Sequence, residues 1–270
     1  MTPSSASHVL QRLGDVRGWE DFYRDLHAHP ELSHQETRTG TNVADRLRAA
    51  GCEVHAGVGG TGVVAILRNG EGPAVLLRAN MDALPVREAA GLPYASKVTT
   101  TGPDHTEVPV MHACGHDVHV TCLLGAVDLL AGATADWHGT VVAVFQPAEE
   151  VANGAQGMLE DGLAEIVGKV DVALCQHVLA FPTGQVATRS GPTLAAADSM
   201  RITVHGRGAH GLMPQASIDP VVLAAMIVVR LQTVISREIQ PGKPAVLTLD
   251  TGTAALTVAA LAWLGQPAGA

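Results

Sequence analysis

The segment with the strongest chemical signal reads Met-His-Ala-Cys-Gly-His-Asp-Val-His and spans residues 111–119. Cys114 and His116 stand two residues apart on a glycine-containing loop that leads into a helix, so a thiolate and an imidazole can face one transition metal. Asp117 could accept the second ring N–H of a ligand histidine and hold its orientation. Two other interpretations stay open from these residues: Cys114 as a nucleophile with a histidine as its base, or a buried loop with incidental histidines.

Two adjacent carboxylates, Glu149 and Glu150, follow an apolar run that predicts a strand over residues 140–145. Open α/β sheets bind ligands at the carboxyl ends of their strands. Neighbouring carboxylates in such a place suit two roles, because one can ligate a metal while the other moves a proton. The alternative is an ordinary acidic first turn of a helix.

Two more ligand-type side chains follow strands that the sequence predicts. His177 ends the segment that begins at Val170, and Asp82 follows the run over residues 75–78. Taken singly, each has a structural explanation. His177 could be an ordinary core or surface histidine, and Asp82 could be a turn-forming aspartate. Their convergence with the two preceding motifs indicates a metal site at one edge of the sheet.

The elements that must position these groups follow from hydrophobic periodicity. Apolar spacing predicts helices over residues 19–26, 35–50 and 117–130, the second ending at Gly51. Apolar and β-branched runs predict strands over residues 52–55, 63–67, 75–78, 140–145 and 170–175, with an Asn69-Gly70 turn signal after the second. This alternation predicts an α/β fold with a mixed, mostly parallel sheet flanked by helices.

The sequence changes character after residues 184–197. A strand is predicted over Met200–His205, then a helix with Asp219 as N-cap and Pro220 in its first turn, and a further strand over Ala245–Leu249. We therefore predict a main domain over residues 1–187, a smaller α+β domain over 188–250 and a low-complexity tail over 251–270.

Composition limits the classes of function. The 270-residue chain has 17 Lys plus Arg against 26 Asp plus Glu, a net charge of −9, which argues against nucleic-acid binding. No secretory signal is visible near residue 1, the longest nearly apolar stretch is too short to span a bilayer, and four cysteines make no disulfide framework. We expect a cytoplasmic protein without nucleic-acid or membrane partners.

Several separated motifs together resemble the metal-dependent amidohydrolases of metallopeptidase family twenty, which include aminoacylases, carboxypeptidases, hippurate hydrolases and auxin-conjugate hydrolases. The matching segments are His29-Pro-Glu-Leu, Glu36-Thr, Met81-Asp-Ala-Leu-Pro, His112-Ala-Cys-Gly-His-Asp, Gln146-Pro-Ala-Glu-Glu, Gly206-Arg-Gly-Ala-His210, Met213-Pro and Asp219-Pro. Asn80 departs from the pattern, which usually has aspartate there. We expect this change to be minor, because the position is not a ligand.

The resemblance implies a zinc-exopeptidase-like fold with a smaller lid or dimerisation domain, and a site for two divalent ions, which could be Zn, Mn, Co or Ni. Cys114 resembles the bridging thiolate, and the other ligands correspond to His116, Glu150 and His177. Glu149 then corresponds to the general base.

The resemblance also gives roles outside the ligand set. Asp82 corresponds to an acidic position close to the metals, and His210 of the smaller domain to the residue that stabilises the developing oxyanion, often across a dimer. The implied activity is hydrolysis of N-acyl amino acids or similar small amides by a homodimer paired through the small domain.

One departure affects the expected activity. Family members continue well beyond this chain and supply a last histidine ligand, whereas the histidines after His177 are His205 and His210, both in the small-domain segment. The chain therefore resembles a truncated family member. The alternative function is an inactive fragment or a binding module that retains part of the site.

Overall fold

A computed structural model describes residue 9 and residues 17–102, 105–180, 182–191 and 200–240. The chain divides into two compact units, Met1–Phe181 and Pro182–Ala270. The strand predicted over Ala245–Leu249 and the tail predicted over residues 251–270 lie outside the described residues.

Three long helices of the first unit confirm the periodicity predictions, with bounds shifted by a few residues. They are α1 (Arg17–Ala28), α2 (Thr37–Ala49) and α3 (His116–Gly132). Gly51, with a φ of 84°, follows the end of α2 and takes the left-handed conformation that a side chain would strain. Two short helices, α4 (Gly154–Glu160) and α5 (Leu163–Val167), follow later in this unit.

Five strands form the main sheet of the first unit in the order β1-β2-β6-β3-β7. The seven strands are β1 (Glu53–Val58), β2 (Gly62–Asn69), β3 (Ala74–Asn80), β4 (Thr99–Thr101), β5 (Glu107–Pro109), β6 (Gly139–Gln146) and β7 (Val172–Cys175). The β4 and β5 strands pair separately as a small ribbon. The mixed α/β class is confirmed, but "mostly parallel" is wrong, because β1-β2 and β2-β6 are antiparallel while β6-β3 and β3-β7 are parallel.

The Asn69-Gly70 turn does not pair the strands on either side of it, because β6 lies between β2 and β3. The side-chain amide of Asn69 donates to the carbonyl oxygens of Thr134 and Trp137, at 2.7 Å and 2.6 Å. These two residues precede β6, so the turn is bound to the segment that leads into the intervening strand.

The core lies on both faces of the two central strands. Strands β2 and β6 are buried along nearly their whole length, which matches their continuous apolar sequence. One face packs Phe145 against Leu26, Leu47 and Met81 in a cluster shared with the three long helices. This packing fixes the carboxyl ends of β3, β6 and β7, which run in the same direction, at one edge of the sheet.

The second unit has one long helix, α6 (Pro220–Thr233), followed by a π-helical turn over Val234–Glu238. Asp219 caps the helix as predicted, because its Oδ1 accepts hydrogen bonds from the backbone N–H groups of Val221 and Val222. The strand predicted over residues 200–205 is wrong. The β pairing described in this unit is an isolated antiparallel bridge between Arg207 and Ile218, and an extended apolar segment becomes a strand only where a neighbour pairs with it.

The expectation that the longest apolar stretch is too short to span a bilayer is wrong for the segment Pro220–Glu238. This segment is long and apolar enough, by length and composition, to cross a membrane. Its apolar side chains are exposed in the described unit, and Val222, Met226 and Val229 are each more than half accessible. Their spacing of four and three residues places them on one face of α6.

Candidate metal centre

The predicted ligand groups meet at the edge of the sheet where β3, β6 and β7 end and α3 begins. Cys114, His116 and His177 form one group and His116, Glu149 and Glu150 form another, with the ligand atoms of each group within 4.8 Å of one another. The Cys114 Sγ lies 3.4 Å from His177 Nε2. The His116 Nε2 lies 3.7 Å from a carboxylate oxygen of each glutamate.

The chemistry of these donors fits a divalent transition metal. Thiolate, imidazole and carboxylate together suit Zn, Mn, Co or Ni. The Oε1 atom of Glu150 is buried and has no hydrogen-bond partner among the described residues, and such an oxygen requires a donor or a cation. The two groups share His116, whereas the resemblance assigned the bridging position to Cys114.

Asp82 is the carboxylate that faces the imidazole of His116. Its Oδ1 lies 3.3 Å from His116 Nδ1, and its Oδ2 accepts hydrogen bonds from the Ser33 hydroxyl at 2.8 Å and the Glu150 backbone N–H at 2.9 Å. Burial raises the pKa of Asp82, but His116, the Glu150 N–H and Ser33 together lower it further, so the net shift is downward. Asp82 thus remains a carboxylate that can orient a ligand histidine.

The pKa values of His116 and Glu150, two groups that contact Asp82, depend on the balance of charge at the centre. Burial lowers the pKa of His116, but Asp82, Glu150 and Glu149 raise it more, so the net shift is upward. Burial also raises the pKa of Glu150. The charge of His116 lowers it, whereas the charges of Glu149 and Asp82 raise it, so the net shift is upward. A cation at this place would relieve the repulsion among the three carboxylates.

Asp117 differs from its sequence-based interpretation. Its Oδ2 lies 2.7 Å from Nδ1 of His27, not beside a ligand histidine, and its Oδ1 accepts the Val118 backbone N–H at the start of α3. The other ring nitrogen of His27 lies 3.1 Å from Glu88. Sequence reasoning missed this contact, because 90 residues separate His27 from Asp117 and no periodicity relates them.

The loop that carries the two glutamates is held by a buried carboxylate that sequence reasoning gave no role. Glu36 is fully buried, and its two oxygens accept hydrogen bonds from the Ala148 backbone N–H at 2.8 Å and the Thr61 hydroxyl at 2.6 Å. Ala148 has a φ of 49°, which costs energy for a residue with a side chain. Glu36 therefore stabilises the strained residue directly before Glu149, and the Glu36-Thr pair in the sequence was its signal.

The surroundings of Cys114 do not activate it as a nucleophile. Burial, Glu150 and Glu149 raise the pKa of the thiol to about 11. The Nδ1–H of His177 donates to the Val178 carbonyl oxygen at 2.7 Å, so its Nε2 carries the lone pair that faces the Cys114 sulfur. The pair thus presents two ligand atoms side by side, with the thiol in its neutral form unless a cation is present.

Comparison with known proteins decides the family. The model of "Peptidase family M20/M25/M40" matches residues 76–269, which is more than half of the chain. The chain belongs to this peptidase family. The match extends past residue 250, into the segment predicted as a low-complexity tail.

Named relatives cover most of this M20 chain. It is 38% identical to the N-acetyl-L-cysteine deacetylase of Bacillus subtilis over 255 residues, which cover 92% of this chain and 56% of the relative. It is 38% identical to the hippurate hydrolase of Campylobacter jejuni over 245 residues, which cover 90% of this chain and 61% of the relative. The chain therefore spans little more than half the length of these relatives.

A solved structure is similar in fold as well as sequence. The dinuclear metal-binding peptidase of the M20 family from Bacillus subtilis is 37% identical, with a TM-score of 0.58 over 65% of this chain and 47% of that one. This similarity agrees with the mixed α/β architecture of the first unit.

A cavity of about 400 Å³ lies beside the candidate metal ligands of this family member. Its walls include Tyr23, His112, Cys114, His177 and Leu179. Both ring nitrogens of His112 are buried without a hydrogen-bond partner among the described residues, and burial lowers the pKa of this histidine to about 4. The cavity therefore combines an apolar wall with a neutral histidine next to the candidate centre.

His210 lies in the second unit, away in sequence from the other predicted site residues. Its Nδ1 accepts a hydrogen bond from the Leu212 backbone N–H at 3.2 Å, and the residue is exposed. Its role in stabilising an oxyanion stays a prediction.

Proposed function

We propose that this chain is the metal-binding part of a hydrolase that cleaves the amide bond of N-acyl amino acids or similar small amides. The arrangement of Glu149 and Glu150 around His116 carries the proposal, because both carboxylates lie 3.7 Å from His116 Nε2. The names of the relatives, N-acetyl-L-cysteine deacetylase and hippurate hydrolase, support the substrate class.

The two glutamates differ in burial, which supports different roles. The Glu150 side chain is 19% exposed, with its backbone tied to Asp82, whereas the Glu149 side chain is 38% exposed. Glu150 suits a fixed ligand. Glu149 suits the general base, because an accessible carboxylate can accept a proton from water and return it to the leaving amine.

The remaining ligands are Cys114, His116 and His177, and together they would hold two divalent ions, which could be Zn, Mn, Co or Ni. When bound, such ions polarise an amide carbonyl and lower the pKa of water towards neutrality. His210 would donate to the oxygen that becomes negative in the transition state, a contribution typically worth about a hundredfold or more in turnover. We assign residues 1–187 to catalysis, residues 188–250 to lid and dimerisation, and residues 251–270 to a tail.

We also propose that two copies pair through α6. The support is the apolar face formed by Val222, Met226 and Val229, each more than half exposed in the described unit. A second copy would remove this face from water. Met226→Lys should convert the dimer to a monomer in sedimentation at micromolar concentration, whereas Arg230→Lys should leave it unchanged. A monomeric wild type would refute the pairing.

A cytoplasmic location without a membrane or nucleic-acid partner is part of the proposal. The four cysteines all lie in the described part of the chain and none of them is paired there. A cysteine that serves as a metal ligand must stay reduced, which the cytoplasm ensures.

The proximity of Cys114 and His177, 3.4 Å apart, is the observation behind one competing function, a thiol hydrolase, which the raised pKa of Cys114 opposes. The other competitor is a catalytically inactive module that retains metal. The test measures metal stoichiometry by native mass spectrometry, and the hydrolysis of hippurate and N-acetyl-cysteine by the purified chain.

Each function predicts a distinct result. Two ions per chain and hydrolysis abolished by a chelator would support the proposal. Chelator-resistant hydrolysis abolished by alkylation would establish the thiol enzyme. Bound metal without turnover would establish the inactive module.

A further inference from the structure

A continuous line of polar groups runs behind the candidate metal centre, from the backbone of Val178 to Asp82. The Val178 N–H donates to His119 Nε2 at 3.0 Å, His119 Nδ1 lies 2.7 Å from Asn80 Oδ1, and Asn80 Nδ2 lies 2.8 Å from His116 Nε2. His116 Nδ1 lies 3.3 Å from Asp82 Oδ1. The four side chains belong to residues that are at most 1% exposed, so water does not compete for these contacts.

The direction of the hydrogen bonds follows from the backbone group at one end. A peptide N–H can only donate, so His119 Nε2 must hold a lone pair and the ring proton must lie on Nδ1. That Nδ1–H donates to the oxygen of the Asn80 amide. The orientation of this amide is thereby fixed, with its nitrogen towards His116.

The fixed amide determines which nitrogen of His116 carries the proton. The Asn80 N–H donates to His116 Nε2, which must hold a lone pair, so the proton lies on Nδ1 and faces Asp82. The His116 Nδ1 and Asp82 Oδ1 atoms have no hydrogen-bond partner among the described residues, and they face each other at 3.3 Å. The His116 Nε2 atom is also the one that lies 3.7 Å from Glu149 and Glu150.

A flipped Asn80 amide would not satisfy the line. Its N–H group would then face the Nδ1–H of His119, so two donors would oppose each other among residues that are at most 1% exposed. This conflict excludes the flip whichever nitrogen of His116 carries the proton. The arrangement with His116 Nε2 unprotonated satisfies both contacts of the amide.

We propose that Asn80 and His119 are positioning residues that fix His116 in the tautomer with its proton on Nδ1 and its lone pair on Nε2, the ring nitrogen that lies 3.7 Å from Glu149 and Glu150. The proposal rests on the proposed function in that it takes His116 as a ligand. A metal can bind only an unprotonated ring nitrogen. An ion that takes this lone pair displaces the Asn80 N–H, so Asn80 prepares the ring for loading and does not bind the ion.

The direct test is the tautomer of His116 in the wild-type chain, freed of metal with a chelator. Nitrogen NMR of ¹⁵N-histidine-labelled protein at about pH 8 distinguishes protonated from unprotonated ring nitrogens, and His116→Gln and His119→Gln assign the signals. We expect both rings to be protonated on Nδ1 and unprotonated on Nε2. A proton on Nε2 of His116, or a mixture of tautomers there, would overturn the proposal.

Asn80→Asp tests the cause of the tautomer with almost no change in shape. A carboxylate only accepts, so it should keep the bond from His119 Nδ1–H while drawing the His116 proton to Nε2. The His116 Nε2 signal should therefore change from unprotonated to protonated, and that of His119 should not. An unchanged His116 signal would show that Asn80 does not set the tautomer. His112→Asn, a buried histidine outside the line, is the control and should leave both rings as in the wild type.

Zinc titration of the same sample separates this proposal from the proposed function. A shift of the His116 signals on adding zinc supports the ligand assignment. If the tautomers are as expected but zinc leaves His116 unchanged, the ligand role fails and the positioning of the ring still holds. If zinc shifts His116 from a different starting tautomer, the positioning proposal fails and the metal centre still holds.

Discussion

The backbone N–H of Glu150 donates to Oδ2 of Asp82 at 2.9 Å, which joins the loop after β6 to the loop after its parallel neighbour β3. The other oxygen of Asp82 faces His116. One carboxylate thus positions two predicted metal ligands, one through its backbone and one through its ring.

Asp82→Asn should weaken metal binding while the fold is retained. The amide keeps an oxygen for one donor but loses the negative charge that orients His116, and changes of this kind cost about 10–100-fold in metal affinity. Competition with a chromogenic chelator measures the loss. Ser33→Ala is the matched control, because it removes one donor to Asp82 and leaves the carboxylate in place. Equal losses in the two variants would contradict the role of the charge.

The two neighbouring glutamates should separate binding from proton transfer. Glu149→Gln should keep the metal content and slow the hydrolysis of an N-acyl amino acid by about 10²–10⁴-fold, the usual value of a general base. Glu150→Gln should lose metal, because it replaces a buried ligand oxygen that has no other partner among the described residues. Metal content by native mass spectrometry and turnover are measured on both. Equal metal loss from the two variants would refute the division of roles.

Glu36 should show a dependence of stability on pH. Burial raises its pKa above the ordinary glutamate value, against the hydrogen bonds from Thr61 and Ala148. A raised pKa means that the folded chain binds the proton more tightly, so stability falls as pH rises from the ordinary glutamate range through the raised pKa. Glu36→Gln retains an acceptor for Ala148 without ionising, so its free energy of unfolding should decline less over that range.

Glu36→Ala provides the contrast at the same site. It leaves the Ala148 N–H and the Thr61 hydroxyl without their acceptor, which costs about 1–3 kcal/mol for a buried group. Urea unfolding of the chelated chain at several pH values measures both variants. Equal stability of the alanine and glutamine variants would show that the carboxylate does not hold the strained residue.

His27 should contribute a second pH dependence, in a higher range. Burial lowers its pKa, but Glu88 and Asp117 raise it further, so the folded value lies above the ordinary 6.5. The protonated histidine therefore stabilises the folded chain at pH values below its ordinary pKa, and this stabilisation is lost as pH rises through the raised pKa. The urea midpoint of the wild type should therefore fall as pH rises from about 6.5, the ordinary histidine pKa, through the raised one.

His27→Gln should flatten that decline, because glutamine does not titrate. His29→Gln, an exposed histidine just beyond the same helix, is the control and should retain the wild-type slope. A wild-type slope in His27→Gln would contradict the assignment of the effect to His27.

The sequence was sufficient where a local pattern decides the structure. The helices, the strands of the main sheet and the N-cap Asp219 follow from periodicity and capping, which act within a few residues. The gathering of Cys114, His116, Glu149 and Glu150 could be predicted as well, because these groups follow consecutive elements of an α/β frame.

The unpredicted features depend on contacts between distant segments. The Asn69-Gly70 turn does not form a hairpin, because β6 lies between β2 and β3. A short stretch of sequence around the turn cannot reveal the position of a strand about 70 residues further along the chain. The position of Asp117 in the motif predicts a partner for a ligand histidine, but its carboxylate contacts His27 instead. Asn80 was expected to be a minor change, yet its amide contacts both His116 and His119.

The place of β6 in the sheet also sets the order in which the site can form. Residues 62–80 include two strands that do not pair with each other. The β2 strand can pair with β1 as soon as both are made, whereas β3 has no partner strand until residues 139–146 emerge from the ribosome. Pairings of such long sequence separation are slow to form. The β6 strand joins the β1-β2 pair to β3, and Glu149 and Glu150 lie in the loop that follows it, so the segment that connects the two parts of the sheet also brings the candidate carboxylates to the site.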